Sequence, residues 1–233
     1  MTDLPGRPSR RGFLKGTAAG AALAAIAVPA GAQTQPDVPP LEEYDPSYLT
    51  AAEYQFIIAA CARLIPSEGD GPGALETRVP VFIDLQLAGD FGDAADWYME
   101  GPHDPAADPL LGYQTPLTPA EVYRAAIPTF QNWCRKTHGK AFEALDAPTQ
   151  DAALTALQKG EVALPPEQRD FFGLLVQNTK EGYFADPIYG GNHAMQAWTY
   201  IGFPGARGAY TEWVSRFDQT YPLSAVSISG ERA

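Results

Sequence analysis

The sequence predicts a mainly α-helical fold, a single helical domain with long ordered loops behind a cleavable N-terminal signal, and three observations predict it. Apolar residues recur at helical spacing behind two capping boxes, and alternating strand-like runs are scarce. The 22 glycines and 22 prolines, close to a fifth of the 233 residues, fall between the periodic runs instead of forming a repeat. The 45% hydrophobic and 19% charged content is that of a globular chain, and the expected division is residues 1–32 signal, 33–48 extended proline-rich leader and 49–233 helical domain.

The signal comes first. Ser9-Arg10-Arg11-Gly12-Phe13-Leu14-Lys15 pairs two arginines with an apolar dipeptide and a lysine, and a small, weakly apolar run follows from Gly16 to Pro29. Ala30-Gly31-Ala32 then supplies the small-x-small pattern that signal peptidase cuts after. The run is shorter than the roughly 20 apolar residues that span a bilayer, so the segment reads as a twin-arginine export signal with cleavage after Ala32. That pathway moves cargo already folded, typically because the cargo or a companion must take up a cofactor before export.

Behind the signal, Pro36, Pro39, Pro40 and Pro46 deny regular hydrogen bonding and predict an extended leader. Thr50-Ala51-Ala52-Glu53 is a capping box, and Tyr54, Ile57, Ile58, Cys61, Leu64 and Ile65 form the apolar stripe of the helix it opens, ended by Pro66. A polar, glycine-rich loop from Ser67 to Gly73 holds Glu68 and Asp70. Calcium is conceivable there, but the alternating carboxylates of an EF-hand are missing and a solvated turn is the stronger reading. A short apolar helix is expected from Val81 to Leu87. From Gly89 to Pro116 periodicity disappears while Phe91, Trp97, Tyr98 and Tyr113 sit among Gly, Pro and Asp, which predicts a long loop held by aromatic plugs.

Thr118-Pro119-Ala120-Glu121 is the second capping box. It opens a helix with the stripe Val122, Tyr123, Ala126, Ile127, Phe130, Trp133 and Cys134, which stops near Gly139. Two further helices are expected, about Pro148 to Lys159 and about Pro166 to Phe184. Cys61 and Cys134 both lie on apolar stripes. They read as buried thiols, with a disulfide as the competing reading in an oxidising compartment.

Charge and motif searches narrow the function. The 28 acidic against 16 basic side chains, a net charge of −12, argue against nucleic acid and anionic lipid as partners. No dinucleotide fingerprint, Walker A loop, haem-attachment motif, nucleophile elbow or His-x-x-x-His pair occurs, and His103, His138 and His193 are scattered. No catalytic, cofactor-binding or metal-ligating residue is therefore assigned. An exported folded chain without a cofactor site points to a companion that has one.

The densest cluster runs from Asn178 to Gly205. A helix ends in Tyr183-Phe184, Asp186-Pro187 turns the chain, Gly190-Gly191 permits positive φ, and Asn192 is placed to cap a short helix carrying Met195 and Trp198. A turn between core helices accounts for Asp186, Pro187, Gly190 and Asn192. Aromatics gathered beside flexible glycines are equally the composition of an interface hot spot, so both readings stand. The candidate interface comprises Glu181, Tyr183, Phe184, Asp186, Tyr189, Gly190, Gly191, Asn192, Trp198 and Phe203.

These residues resemble the gluconate 2-dehydrogenase subunit 3 family, the small subunit of membrane-associated flavin-dependent sugar and sugar-acid dehydrogenases. The likeness rests on the signal Ser9 to Lys15, on Leu64-Ile65-Pro66 with Gly71-Pro72-Gly73-Ala74, on Phe82-Ile83-Asp84 with Gln86-Leu87, and on Trp97-Tyr98-Met99 with Gly101-Pro102. It rests most of all on Glu181 to Asn192 and on Ile201-Gly202-Phe203-Pro204-Gly205. The resemblance implies a non-catalytic subunit that binds no cofactor itself. It also implies two partners, a large dehydrogenase subunit holding FAD and a multihaem cytochrome c subunit. The expected location is the periplasm, at the outer face of the inner membrane through the complex, with the small chain acting as the large subunit's export escort and stabiliser. Two other classes remain: an autonomous periplasmic enzyme using carboxylates such as Asp84, Asp186 or Glu181, and a free-standing binding protein.

Overall fold

Six α-helices frame residues 38–233, the part of the chain that the computed structural model describes. They are α1 (Ala51–Leu64), α2 (Val79–Leu87), α3 (Pro119–His138), α4 (Ala147–Gln158), α5 (Phe171–Phe184) and α6 (Gln196–Ile201). Among the described residues no strand forms; pairing is confined to isolated bridges such as Gly205 with Val226.

Local chemistry sets the helix ends. Thr50 accepts from the Glu53 amide at 3.3 Å while its own N–H donates to the Glu53 carboxylate at 2.8 Å, and Thr118 with Glu121 repeats the pattern at 3.4 and 2.8 Å. Both boxes therefore satisfy amides that a helix start leaves without partners. α3 stops at Gly139, whose φ of 78° is the left-handed conformation of a helix C-terminus. α2 begins at Val79, two residues before the expected start, because Pro80 lies in the first turn, where the missing N–H costs nothing.

α1 lies at the centre of the core, in contact with α2, α4 and α5. Its stripe contributes Tyr54, Ile57 and Cys61 to the interior, but Phe56, off that stripe, is also fully buried. The Phe56 ring meets Phe130 of α3, Phe142 and Phe171 of α5 at centroid distances of 5.9, 5.3 and 6.2 Å. A helix enclosed on several sides loses the one-face periodicity of a surface helix. The thiols of Cys61 and Cys134 are both free and buried, with Cys61 Sγ 3.8 Å from Thr179 Oγ1. Burial pushes each thiol up to about 12.

The described part of the proline-rich leader, from residue 38, is not extended throughout: it carries a 3-10 turn at Leu41–Glu43 and is tied to the core. Asp84 of α2, fully buried, accepts from the Tyr44 hydroxyl at 2.9 Å and from the amides of Ser47, Tyr48 and Leu49 at 2.7, 3.0 and 2.9 Å. Arg124 of α3 stacks over the Tyr48 ring and pairs with Glu53. In the long loop, Trp97 meets Phe91 at 5.9 Å and Tyr113 at 4.7 Å, as plugs should, whereas Tyr98 points outward.

Candidate functional site: a groove between α2 and the end of α5

The end of α5 packs on α2 through the absence of side-chain atoms. A Cβ on Gly182 would come within 2.7 Å of the Phe82 ring, so glycine is what lets the two helices close. The returning chain approaches as tightly. The Asn192 amide donates to the Gly182 carbonyl at 2.9 Å, and a Cβ on Gly191 would collide with that same carbonyl oxygen. Gly191 is thus required for close approach. Of the Gly190-Gly191 pair it is Gly190 that takes the positive φ, at 89°, and Asn192 follows at 41°.

Asn192 is fully buried and locks this turn. Its amide group donates to the Ala185 carbonyl at 2.9 Å, and its side-chain oxygen accepts from the Ala197 N–H at 3.0 Å, near the start of α6. Asp186 takes the Ile188 amide at 3.2 Å on one oxygen and the Ile228 amide at 2.7 Å on the other, tying the turn to the C-terminal segment. The Tyr183 hydroxyl donates to the Pro72 carbonyl at 2.8 Å, and the Trp198 indole N–H donates to the Phe184 carbonyl at 2.8 Å.

The ten candidate interface residues accordingly divide. Tyr183 (7% exposed), Trp198 (6%), Asp186, Gly191 and Asn192 are internal and build the frame. Phe184 (46%), Tyr189 (52%) and Phe203 face outward, as does the Glu181 carboxylate, while Gly190 lies against Leu85. Tyr183 packs edge-on against Phe184 and Trp198 against Phe203, so buried rings support exposed ones. Phe82, Gln86, Glu181, Phe184, Ala185, Asp186 and Tyr189 line an open groove of about 480 Å³.

Leu85 and Ile188, both exposed beside this groove, were not singled out by the sequence. The nine-residue α2 is apolar nearly all round, which hides the one side chain that faces out. Arg10, Arg11, Phe13, Leu14 and Lys15 of the signal, with Ala30 and Ala32 of the cleavage site, lie outside the described residues.

The carboxylates considered for catalysis are all engaged. Asp84 holds the leader and Asp186 holds the turn. Glu181 accepts from Gln177 at 2.7 Å and Asn178 at 3.2 Å. Among the described residues no three His, Cys, Asp or Glu side chains gather into a metal-sized cluster, and no helix is long and apolar enough to cross a membrane.

Fold and surface together define a helical chain that exposes Phe184, Tyr189 and Phe203 around one closely packed, glycine-dependent turn. Comparison with known families identifies it further: the model of gluconate 2-dehydrogenase subunit 3 matches residues 51–205, and that of the twin-arginine translocation pathway signal sequence matches residues 7–27. The chain belongs to the gluconate 2-dehydrogenase subunit 3 family and carries a signal for export to the periplasm. No curated protein and no solved structure matches it.

Proposed function

We propose that the chain is a non-catalytic small subunit of a periplasmic flavin-dependent gluconate or sugar dehydrogenase, and that it escorts and stabilises the FAD-binding large subunit through twin-arginine export. A multihaem cytochrome c subunit completes the complex, receives the electrons and holds it at the membrane. FAD and haem c belong to those partners, and this chain binds neither.

The observation that carries this reading is the union, in one chain of this family, of a folded-cargo export signal with an outward aromatic face on a pre-organised frame. Escort needs both. The signal addresses the assembled pair, and the rigid face holds the companion with little ordering cost at the moment of binding. The engaged state of Asp84, Asp186 and Glu181 supports a structural assignment for these groups over general acid–base work.

The test is export. Changing Arg10→Lys together with Arg11→Lys in the native host should leave the domain folded and confine both it and the dehydrogenase activity to the cytoplasm. Periplasmic dye-reducing activity at the wild-type level in that double variant would overturn the escort role.

A further inference from the structure

We infer that the groove between α2 and the end of α5 receives an apolar segment of the large subunit that carries a lysine or arginine, with the cation set against the exposed Glu181 and its aliphatic stem against Phe184 and Tyr189. This rests on the subunit reading above and adds the chemistry of the contact.

Three features of the groove specify that chemistry. Its walls are apolar and aromatic, from Phe82, Phe184, Ala185 and Tyr189, and rings exposed to solvent attract cations over their faces. Its exposed carboxylate, Glu181, has only neutral hydrogen-bond donors and forms no ion pair among the described residues. Its backbone lies close to its walls, because a Cβ on Gly182 or Gly190 would come within 2.7 Å of Phe82 or Leu85. A long aliphatic stem ending in a charge matches such a surface, since the stem covers the rings while the head reaches the carboxylate.

Charge selects among occupants. A symmetric dimer would bring this patch onto its own copy and Glu181 toward like charge, on a chain whose net charge is −12. An anionic lipid surface is disfavoured for the same reason. A protein segment bearing positive charge is the occupant that gains from both the rings and the Glu181 carboxylate.

The experiment immobilises the isolated large subunit and measures its affinity for the full-length chain over a range of sodium chloride. Variants are Glu181→Gln, Glu181→Arg, Tyr189→Ala and, as a control on the distant long loop, Leu110→Ala, a residue 92% exposed. Glu181→Arg and Tyr189→Ala should each weaken binding about tenfold or more. Glu181→Gln should weaken it severalfold and flatten the salt dependence, and Leu110→Ala should bind as wild type. Glu181 is exposed but also accepts from the buried Asn178, so each variant's thermal melt is recorded beside its affinity, and weakened binding counts as contact only where the melt is unchanged. Wild-type affinity in all three groove variants would overturn the groove assignment while leaving the subunit reading intact. A salt-independent wild-type affinity, or groove variants that weaken self-association in the ultracentrifuge instead, would also overturn it. A wild-type chain that binds no flavoprotein at all would sink the subunit reading itself.

Discussion

Asp84→Asn tests whether the carboxylate that could pass for a catalytic acid is instead a structural clamp. The native side chain accepts four hydrogen bonds, two on each oxygen, from Tyr44 and Ser47 on one and from Tyr48 and Leu49 on the other. Asparagine keeps one oxygen. Its favoured orientation retains the Tyr48 and Leu49 amides, since Leu49 is buried and the Ser47 side faces water. The amide group then confronts the Ser47 N–H, a donor against a donor, while the Tyr44 hydroxyl can rotate to accept. One lost partner at about 1–2 kcal/mol, plus weaker bonds once the charge is gone, gives a destabilisation of roughly 2–3 kcal/mol. For a domain of this size that lowers the melting temperature by about 4–12 °C. Calorimetry of residues 33–233 should read that shift, and hydrogen exchange should show faster exchange at Ser47 with smaller effects at Tyr48 and Leu49. A melting temperature within about 2 °C of wild type, with exchange at Ser47 to Leu49 unchanged, would refute the clamp.

Two other expectations concern the frame and the thiols. Gly191→Ala drives a methyl into the Gly182 carbonyl and breaks the Asn192 amide contact, so it should cost about 3 kcal/mol or more in denaturant unfolding, and wild-type stability would remove the close-approach explanation. Cys61 and Cys134 should resist a thiol reagent in the folded protein and react on unfolding. Their folded values near 12 lie above the unfolded range, so the unfolded chain loses those protons first as pH rises. The thiols' contribution to stability should therefore be fully present below about pH 8.5 and fall as pH rises toward 12, and a Cys61→Ala, Cys134→Ala double variant should show a shallower alkaline loss.

The parts of this protein settled locally were legible in its residues. Capping boxes at Thr50 and Thr118 need only their own neighbours, and they start α1 and α3 where expected. The stripe from Val122 to Cys134 is inside, Trp133 excepted at its half-buried edge, because one face of a long amphipathic helix has nowhere else to go. The export signal is linear by nature, read as chain and not as fold.

Tertiary structure decided what depends on contacts between distant segments. The burial of Phe56 follows from helices enclosing α1 on several sides, which no periodicity within residues 51–64 announces. Asp84 became a clamp because the chain 36 to 40 residues away brings Tyr44 and Tyr48 to it. The aromatic cluster divided for the same reason. Tyr183 and Trp198 found carbonyl partners at Pro72 and Phe184 and turned inward, while Phe184 and Tyr189, with the same ring chemistry, were left facing solvent. Which rings this chain covers is fixed by the packing of α5 on α2 and of the returning turn, where glycine at 182 leaves room for the Phe82 ring and glycine at 191 for the Gly182 carbonyl.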